Sequence, residues 1–365
     1  MDYKVPQLEP YVGREELENL EIAIKNKWLS EGPFAKEFLD RIQEVTKAKY
    51  ALLAPNGTLA LFLCLLGCGI KKGDEVIVSD FTFNASASSI AFTGATPIFV
   101  DVSETDLNMN PEKIEEKITR KTKAIMPVHI YGQSCDMDPI MHIAKKHNLL
   151  VVEDAAQSFG VFYKGIHTGV IGDVGMISFF ADKTITTGEG AVILTNNEKI
   201  YEKIKLLRNH GRPHSSTFIH PALGMNFMMT DIQCAVGCAQ IKKFKEIEKI
   251  KLKNYSLYKR LLKDVKEISF IGESNYSNIV PFRANILAKD LELLLKHMEE
   301  SGIQTRRFFY PMHRQPWCSG SGNKDDDFPI SNMAYDKGAS LPVFCSLKEE
   351  EIEYVCNTLT SFYKK

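Results

Sequence analysis

The chain has 365 residues, of which 44% are hydrophobic and 25% charged, and its 45 Lys+Arg against 46 Asp+Glu give a formal net charge of −1. That length suits two domains, or one large domain with an appendage, in an ordinary globular protein. The charge balance excludes a chain-wide pull toward nucleic acid or an anionic membrane, and no apolar run reaches the roughly 18 residues that a membrane span needs.

The first residues, Met-Asp-Tyr-Lys-Val-Pro-Gln-Leu-Glu-Pro, lack the apolar stretch of a secretory signal. From about residue 49 to 195, short apolar runs alternate with helical patterns. A strand over 50–54 precedes a helix opening near Gly57, and a strand over 75–78 precedes a helix over 84–92. The run 97–100 leads to a helix expected from about Pro111. Strands over 123–128 and 149–153 flank a helix over 139–147. This alternation predicts an α/β fold with a mostly parallel, doubly wound sheet, and the continuously apolar strands suit burial on both faces. The runs 175–179 and 191–195 lie close together, so at least one of them is expected to be antiparallel.

A long charged helical pattern over 230–262 is expected to connect two domains. The large α/β domain, with helices at its amino-terminal end, is placed at 1–245. A smaller C-terminal α+β domain is placed at 246–365. It contains a strand over 279–287, a helix over 290–301 and a final helix over 347–363. The eight cysteines have no zinc-like spacing, nor do His210, His214 and His220. Buried free thiols in a reducing cytoplasm, and no metal site, are expected. His129 is expected to be a packed or hydrogen-bonded strand-end residue.

In open parallel sheets, ligands sit at the carboxyl ends of the strands. After the first strand, Pro55-Asn-Gly57-Thr58 opens a helix whose first N–H groups favour an anion. Phe83 follows the second strand and offers a ring for stacking. Asp154 and Gln157 follow the fifth, and a carboxylate at a buried strand end needs a partner. Ser178 lies within the run 175–179, and Lys183 lies in a Thr/Gly-rich turn where a desolvated amine can form a Schiff base. Singly, each has an ordinary explanation: a capped helix, a core ring, a salt-bridged acid, a surface lysine. Together they match pyridoxal 5'-phosphate, which needs a lysine for its aldehyde, an acid for its pyridine nitrogen, donors for its phosphate and a ring partner.

Several segments resemble the DegT/DnrJ/EryC1/StrS aminotransferases of fold type I, mostly nucleotide-sugar enzymes. They are Pro127-Val-His-Ile-Tyr-Gly-Gln133, Glu153-Asp-Ala-Ala-Gln157, Ser178-Phe-Phe-Ala-Asp-Lys183 with Thr186-Thr-Gly-Glu-Gly190, and Met229-Thr-Asp-Ile-Gln233. Within that family, Cys135-Asp-Met-Asp-Pro-Ile140 and the Lys183 segment look most like GDP-perosamine synthases. The resemblance implies that Lys183 carries the cofactor and Asp154 pairs with its ring nitrogen. It implies that Phe83 stacks on the ring, that Gln157 sits near the ring hydroxyl, and that Gly57, Thr58 and Ser178 bind phosphate. It further implies a homodimer with shared sites, in which Asn226 reaches the phosphate of the other subunit. Arg306 and His313 become candidates for substrate contact. The implied substrates are L-glutamate and a nucleotide-linked keto-deoxysugar, with surface polysaccharide as the destination.

The departures from the family pattern cluster where substrate would be read. Met228 stands where an Arg is usual, Ala191 replaces a common Gly, Asn84 follows Phe83, and the stretch 215–222 lacks its usual aromatic residues. A smaller keto substrate, including a phosphorylated one, therefore stays open, as does a non-catalytic regulator that keeps the fold. A related dehydratase would carry His in place of Lys183.

Overall fold

The computed structural model describes residues 3–214, 216–318 and 324–364. Ser215, the first residue of the departing stretch 215–222, lies outside them, as do the extreme ends of the two expected domains. Helices α1 (Arg14–Lys25) and α2 (Pro33–Thr46) lead into β1 (Tyr50–Ala54), α3 (Gly57–Gly67), β2 (Glu75–Ser79), α4 (Asn84–Phe92) and β3 (Thr96–Val100). Next come β4 (Thr122–Met126), α5 (Met137–His147), β5 (Leu150–Asp154), a small hairpin of β6 (Phe162–Tyr163) and β7 (Ile166–His167), then β8 (Val174–Ser178) and β9 (Ala191–Thr195).

Seven of these strands form one sheet in the order β1-β9-β8-β5-β4-β2-β3. Strands β8, β5, β4, β2 and β3 run parallel, and β9 is antiparallel to both β8 and β1. The sheet is wound on both faces because its strands are apolar on both. In β1, Leu52 and Ala54 pack with α3 while Leu53 packs with α2 and the long helix described below. In β2, Val76 and Val78 share the α3 side, and Ile77 joins a cluster with Ile140 and Ile143 of α5. The cysteines are unpaired, and Cys64, Cys135, Cys234, Cys238, Cys318 and Cys356 are buried, as the spacing predicted.

After α6 (Glu198–Arg208), helix α7 runs from Asp231 to Leu262. Thr230 opens it with a capping box: its hydroxyl accepts from Gln233 N, and Gln233 Oε1 accepts from Thr230 N. Cys234, Cys238, Ile241 and Phe244 fill the core under the first sheet, whereas Tyr255, Tyr258 and Leu262 belong to a second core. That second core lies beneath an antiparallel sheet of β10 (Ile268–Phe270), β11 (Ala284–Ala288), β12 (Arg306–Arg307) and β13 (Gly338–Leu341), in the order β10-β11-β13-β12. Helices α8 (Leu291–Glu300), α9 (Pro329–Lys337) and α10 (Glu349–Tyr363) complete the described chain.

Two expected elements differ. The helix from Pro111 is only a pair of short 3-10 turns, at Pro111–Lys113 and Glu115–Lys117, because the segment offers a single fully buried anchor, Ile114. The strand over 279–287 shrinks to Ala284–Ala288. Pro281 interrupts the run, and the preceding backbone pairs elsewhere: Val280 N donates to Gly132 O at 3.0 Å.

The β6–β7 hairpin braces the end of β5. His167 is buried, its Nε2 accepts from Gly160 N at 2.8 Å and its Nδ1 faces Thr168 O at 2.5 Å. The ring is therefore neutral, and burial lowers its pKa to about 4. Above pH 6.5 the imidazole is neutral in both folded and unfolded chains. As pH falls from there toward 4, only the unfolded chain takes up the proton, so stability is lost, by up to about 3 kcal/mol. Urea denaturation is expected to show a lower midpoint at pH 5 than at pH 7, with a weaker pH dependence in His167→Gln.

Candidate active site

The carboxyl ends of β1, β2, β5 and β8 converge on one place, and each contributes part of a site. The β5 pleat places neighbouring Glu153 and Asp154 in different surroundings. Glu153 accepts from the backbone N–H of Gly169, Ile171 and Gly172 at 2.6–2.7 Å and from His129 Nε2 at 2.9 Å. His129 Nδ1 accepts from Cys135 N at 3.1 Å, which fixes the proton on Nε2. His129 is thus the hydrogen-bonded strand-end residue that was expected, and Glu153 is fully engaged in holding the loop before β8.

Asp154 is 4% exposed and less fully paired. Its Oδ2 accepts from Ser86 Oγ at 2.7 Å, and its Oδ1 from Ala156 N at 3.1 Å. Ser86 sits in the first turn of α4, and Thr82 Oγ1 lies 2.8 Å from its hydroxyl. Burial raises the Asp154 pKa, and the hydrogen bonds and the charge of Lys183 oppose that rise. A carboxylate in this condition favours a cationic neighbour.

Lys183 sits in the β8–β9 connection. This loop is tied by Thr187 N to Phe179 O at 2.9 Å, Phe179 N to Gly190 O at 2.9 Å and Thr186 Oγ1 to Phe179 O at 3.1 Å. Gly190 adopts φ +159, and a Cβ there would meet Thr187 Oγ1 at 2.3 Å, so the loop closes only on glycine. The Lys183 amine lies 4.7 Å from the centroid of the Phe282 ring and 3.8 Å from Asp182 Oδ1. Burial lowers its pKa; Asp182 and Asp154 pull it back up, while Arg283 and Arg306 push it further down. The net effect holds the amine's pKa below the usual lysine range.

At the start of α3, Asn56 caps the helix by accepting from Leu59 N at 3.0 Å, leaving the N–H groups of the first turn aimed outward. A Cβ on Gly57 would lie 3.2 Å from Ser178 Oγ, so the helix start and the end of β8 meet at one point. Gly57, Thr58 and Ser178 thus stand together at a helix start, an arrangement whose free N–H groups can accept an anion. Phe83 caps the amino end of α4, is 59% exposed and lies 6.0 Å from the ring of Phe309. Gln157 Oε1 accepts from Tyr131 N at 2.9 Å, fixing the side chain beside Asp154.

Of the remaining expected residues, Arg306 borders this centre, whereas Asn226 and His313 are engaged elsewhere. Asn226 is exposed; its amide oxygen accepts from Met228 N, and its backbone bridges to Asn209. Arg306 opens β12, is half exposed, and approaches Asp182 Oδ2 at 3.6 Å. His313 is buried, with Nδ1 2.8 Å from Asp80 and Nε2 3.0 Å from Asp325, so both ring nitrogens are occupied by carboxylates of the chain. Its ring therefore anchors the 312–314 turn to the end of β2.

Sequence reading passed over Ser86, Asp182 and Arg283. Ser86 lies three residues beyond Phe83 and about one helical turn before the buried Ile90, in a helix of small residues with no marked apolar face. Asp182 stood inside a recognised motif. Arg283 is 101 positions from the aspartate it pairs with, and no local pattern announced it.

The arrangement fits pyridoxal phosphate on its own terms. A helix-start cradle suits the phosphate, the under-paired Asp154 suits a protonated ring nitrogen, and a desolvated amine suits an aldehyde. Two polar atoms flanking the lysine, Asp182 Oδ1 and Thr184 Oγ1, are buried and lack hydrogen-bond partners among the described residues.

The DegT/DnrJ/EryC1/StrS aminotransferase family model matches residues 10–360. The chain belongs to this family. A GDP-perosamine synthase of Escherichia coli O157:H7 is 37% identical over 363 residues, covering 98% of each protein. A GDP-perosamine synthase of Caulobacter vibrioides is 37% identical over 339 residues, 91% of each. Among solved structures, S. venezuelae DesV in complex with a ketimine intermediate matches with a TM-score of 0.93 at 26% identity, over 99% of each chain. The protein is a pyridoxal-phosphate-dependent aminotransferase with the α/β fold expected from its strands.

Asp154→Asn keeps the shape and removes the charge. Cofactor titration followed by absorbance is expected to show binding weakened by about thirtyfold or more. The cofactor-free variant is expected to melt no lower than the parent, since a buried charge has been removed.

Proposed function

We propose that the enzyme moves an amino group from L-glutamate to a nucleotide-linked keto-deoxysugar, a 4-keto-6-deoxyhexose, to make an amino sugar for surface polysaccharide. The observation that carries this reading is the pairing of a desolvated lysine with an under-paired buried aspartate beside an anion cradle. The similarity to GDP-perosamine synthases along nearly the whole chain supports the sugar acceptor.

Bound pyridoxal phosphate supplies an electron sink that makes the donor's α-proton removable. The rest falls to the protein. Lys183 holds the cofactor and, once free, accepts and returns the proton at its neutral Nζ. Asp154 keeps the ring nitrogen protonated through a fixed, water-poor electrostatic contact. Gly57, Thr58 and Ser178 would hold the phosphate, Phe83 would stack on the ring, and Gln157 would restrain the ring hydroxyl. Arg306, half exposed at the mouth, is assigned to substrate contact. His313 is assigned to shaping that mouth through Asp80 rather than to direct contact.

The enzyme is read as a cytoplasmic homodimer whose two sites are shared, with Asn226 serving the partner's phosphate cradle. The exposed apolar residues Phe218, Ile219, Leu223 and Met225, immediately before Asn226, support a covered surface there. Among the described residues no helix is long and apolar enough to cross a membrane. The division into domains at 1–245 and 246–365 is retained as a reading, supported by a first sheet that ends at Thr195 and a second that begins at Ile268.

An absorbance spectrum tests the central claim. The purified protein is expected to show a cofactor band that L-glutamate abolishes and that a nucleotide-linked keto sugar restores. Lys183→Ala should lack the lysine-dependent band. Restoration by a small keto phosphate, but by no sugar nucleotide, would replace the sugar acceptor with the smaller one. A spectrum unchanged by Lys183→Ala would return the chain to a non-catalytic role.

A further inference from the structure

The residue before the cofactor lysine makes an uneven set of contacts. Asp182 Oδ2 accepts from Arg283 Nη2 at 2.7 Å and also lies 3.6 Å from Arg306 Nη1. Asp182 Oδ1 has no hydrogen-bond partner among the described residues, although it is buried and faces the Lys183 amine at 3.8 Å. An Arg–carboxylate pair can engage both carboxylate oxygens in bidentate geometry. Here two arginines crowd one oxygen, and the other is left for the lysine. The partners come from different parts of the fold. Asp182 lies in the β8–β9 connection of the first sheet, and Arg283 immediately precedes β11 of the second.

We propose that Asp182 is a positioning residue for the Lys183 amine, and that Arg283, reaching across from the second sheet, sets how much of the Asp182 charge that amine meets. The proposal rests on the reading of Lys183 as the cofactor lysine. When the amine is released, a short movement brings it within hydrogen-bond distance of Oδ1, which supplies an acceptor in a pocket with little water. A bare carboxylate there would hold the lysine as an ammonium ion and spoil it as a base. The Arg283 guanidinium, 2.7 Å from the same carboxylate, offsets that pull. The charged groups acting on the amine are Asp182, Asp154, Arg283 and Arg306; Lys251, buried on α7, interacts electrostatically with both Asp182 and Arg283.

The signs are opposite for the two partners. Removing the Asp182 charge makes the ammonium form less favourable, so the amine is neutral at lower pH. Removing the Arg283 charge frees the carboxylate, so the amine stays protonated to higher pH.

The test is competitive labelling of the full-length, cofactor-free protein with acetic anhydride across a pH range. Acetylation of Lys183 is read by mass spectrometry against exposed lysines. In Asp182→Asn the titration midpoint of Lys183 is expected to fall, raising its labelling near neutral pH by about threefold or more. In Arg283→Gln the midpoint is expected to rise. Arg283→Lys, which keeps the charge, should restore a value near the parent's. An Asp182→Asn midpoint equal to or above the parent's overturns the proposal, and this comparison stands even if Arg283→Gln fails to fold. Borohydride reduction of the parent holoenzyme identifies the lysine that carries the pyridoxyl group. A label elsewhere than Lys183 sinks the functional reading, whereas a label on Lys183 with an unmoved midpoint sinks only the present proposal.

Discussion

A carboxylate kept out of water at the end of a parallel strand is the constraint on which the site depends. Asp154 cannot be both buried and ionised without help, and the fold supplies only part of that help: one serine hydroxyl, one backbone N–H and the field of a lysine. Its neighbour Glu153, equally buried, is surrounded by four donors and has nothing left to offer a ligand. The contrast separates structural from functional acids more clearly than burial does. A carboxylate whose donors are all supplied by the fold holds loops together. One left partly unpaired attracts a cation, and here that deficit matches a protonated pyridine nitrogen.

The lysine is delivered by the one strand that breaks the parallel rule. Because β9 returns antiparallel beside β8, the connection between them is a tight loop rather than a helical crossover. A tight loop can hold Lys183 close over the strand ends, with its backbone fixed by Phe179, Thr186 and Thr187. The proposed phosphate site lies where α3 begins, one strand position beyond β9, and Gly57 allows the helix start to touch Ser178. The three features proposed to hold the cofactor thus stand at strand ends of one sheet.

Much of this was legible in the sequence, because the signals were local. Strands buried on both faces read as continuous apolar runs, and Gly57, Phe83 and Asp154 follow from their places at or just past the strand ends, whereas the phosphate role of Ser178 comes only from the family resemblance. The expected helix at Pro111 was not borne out, since charged residues with helical propensity do not make a helix when only Ile114 has a core to enter. The 279–287 strand was overextended because its first residues pair with the turn at Gly132, a contact between segments far apart in sequence. The same distance hid Arg283. His313 was chosen for its motif, but its environment is set by Asp80 and Asp325, which only the folded chain brings to its ring.

Helix α7 belongs to both hydrophobic cores, its first half under one sheet and its last turns under the other. At 1.5 Å per residue, its 32 residues span about 48 Å. Such a continuous rod makes the two sheets thermodynamic dependants of each other. Melting the second core would strip the helix's last turns of their packing and fray it back toward Phe244. A cut near residue 245 would leave a hydrophobic stump rather than a natural terminus. The protein is therefore expected to unfold as one cooperative body, although its architecture is drawn in two layers of different kind.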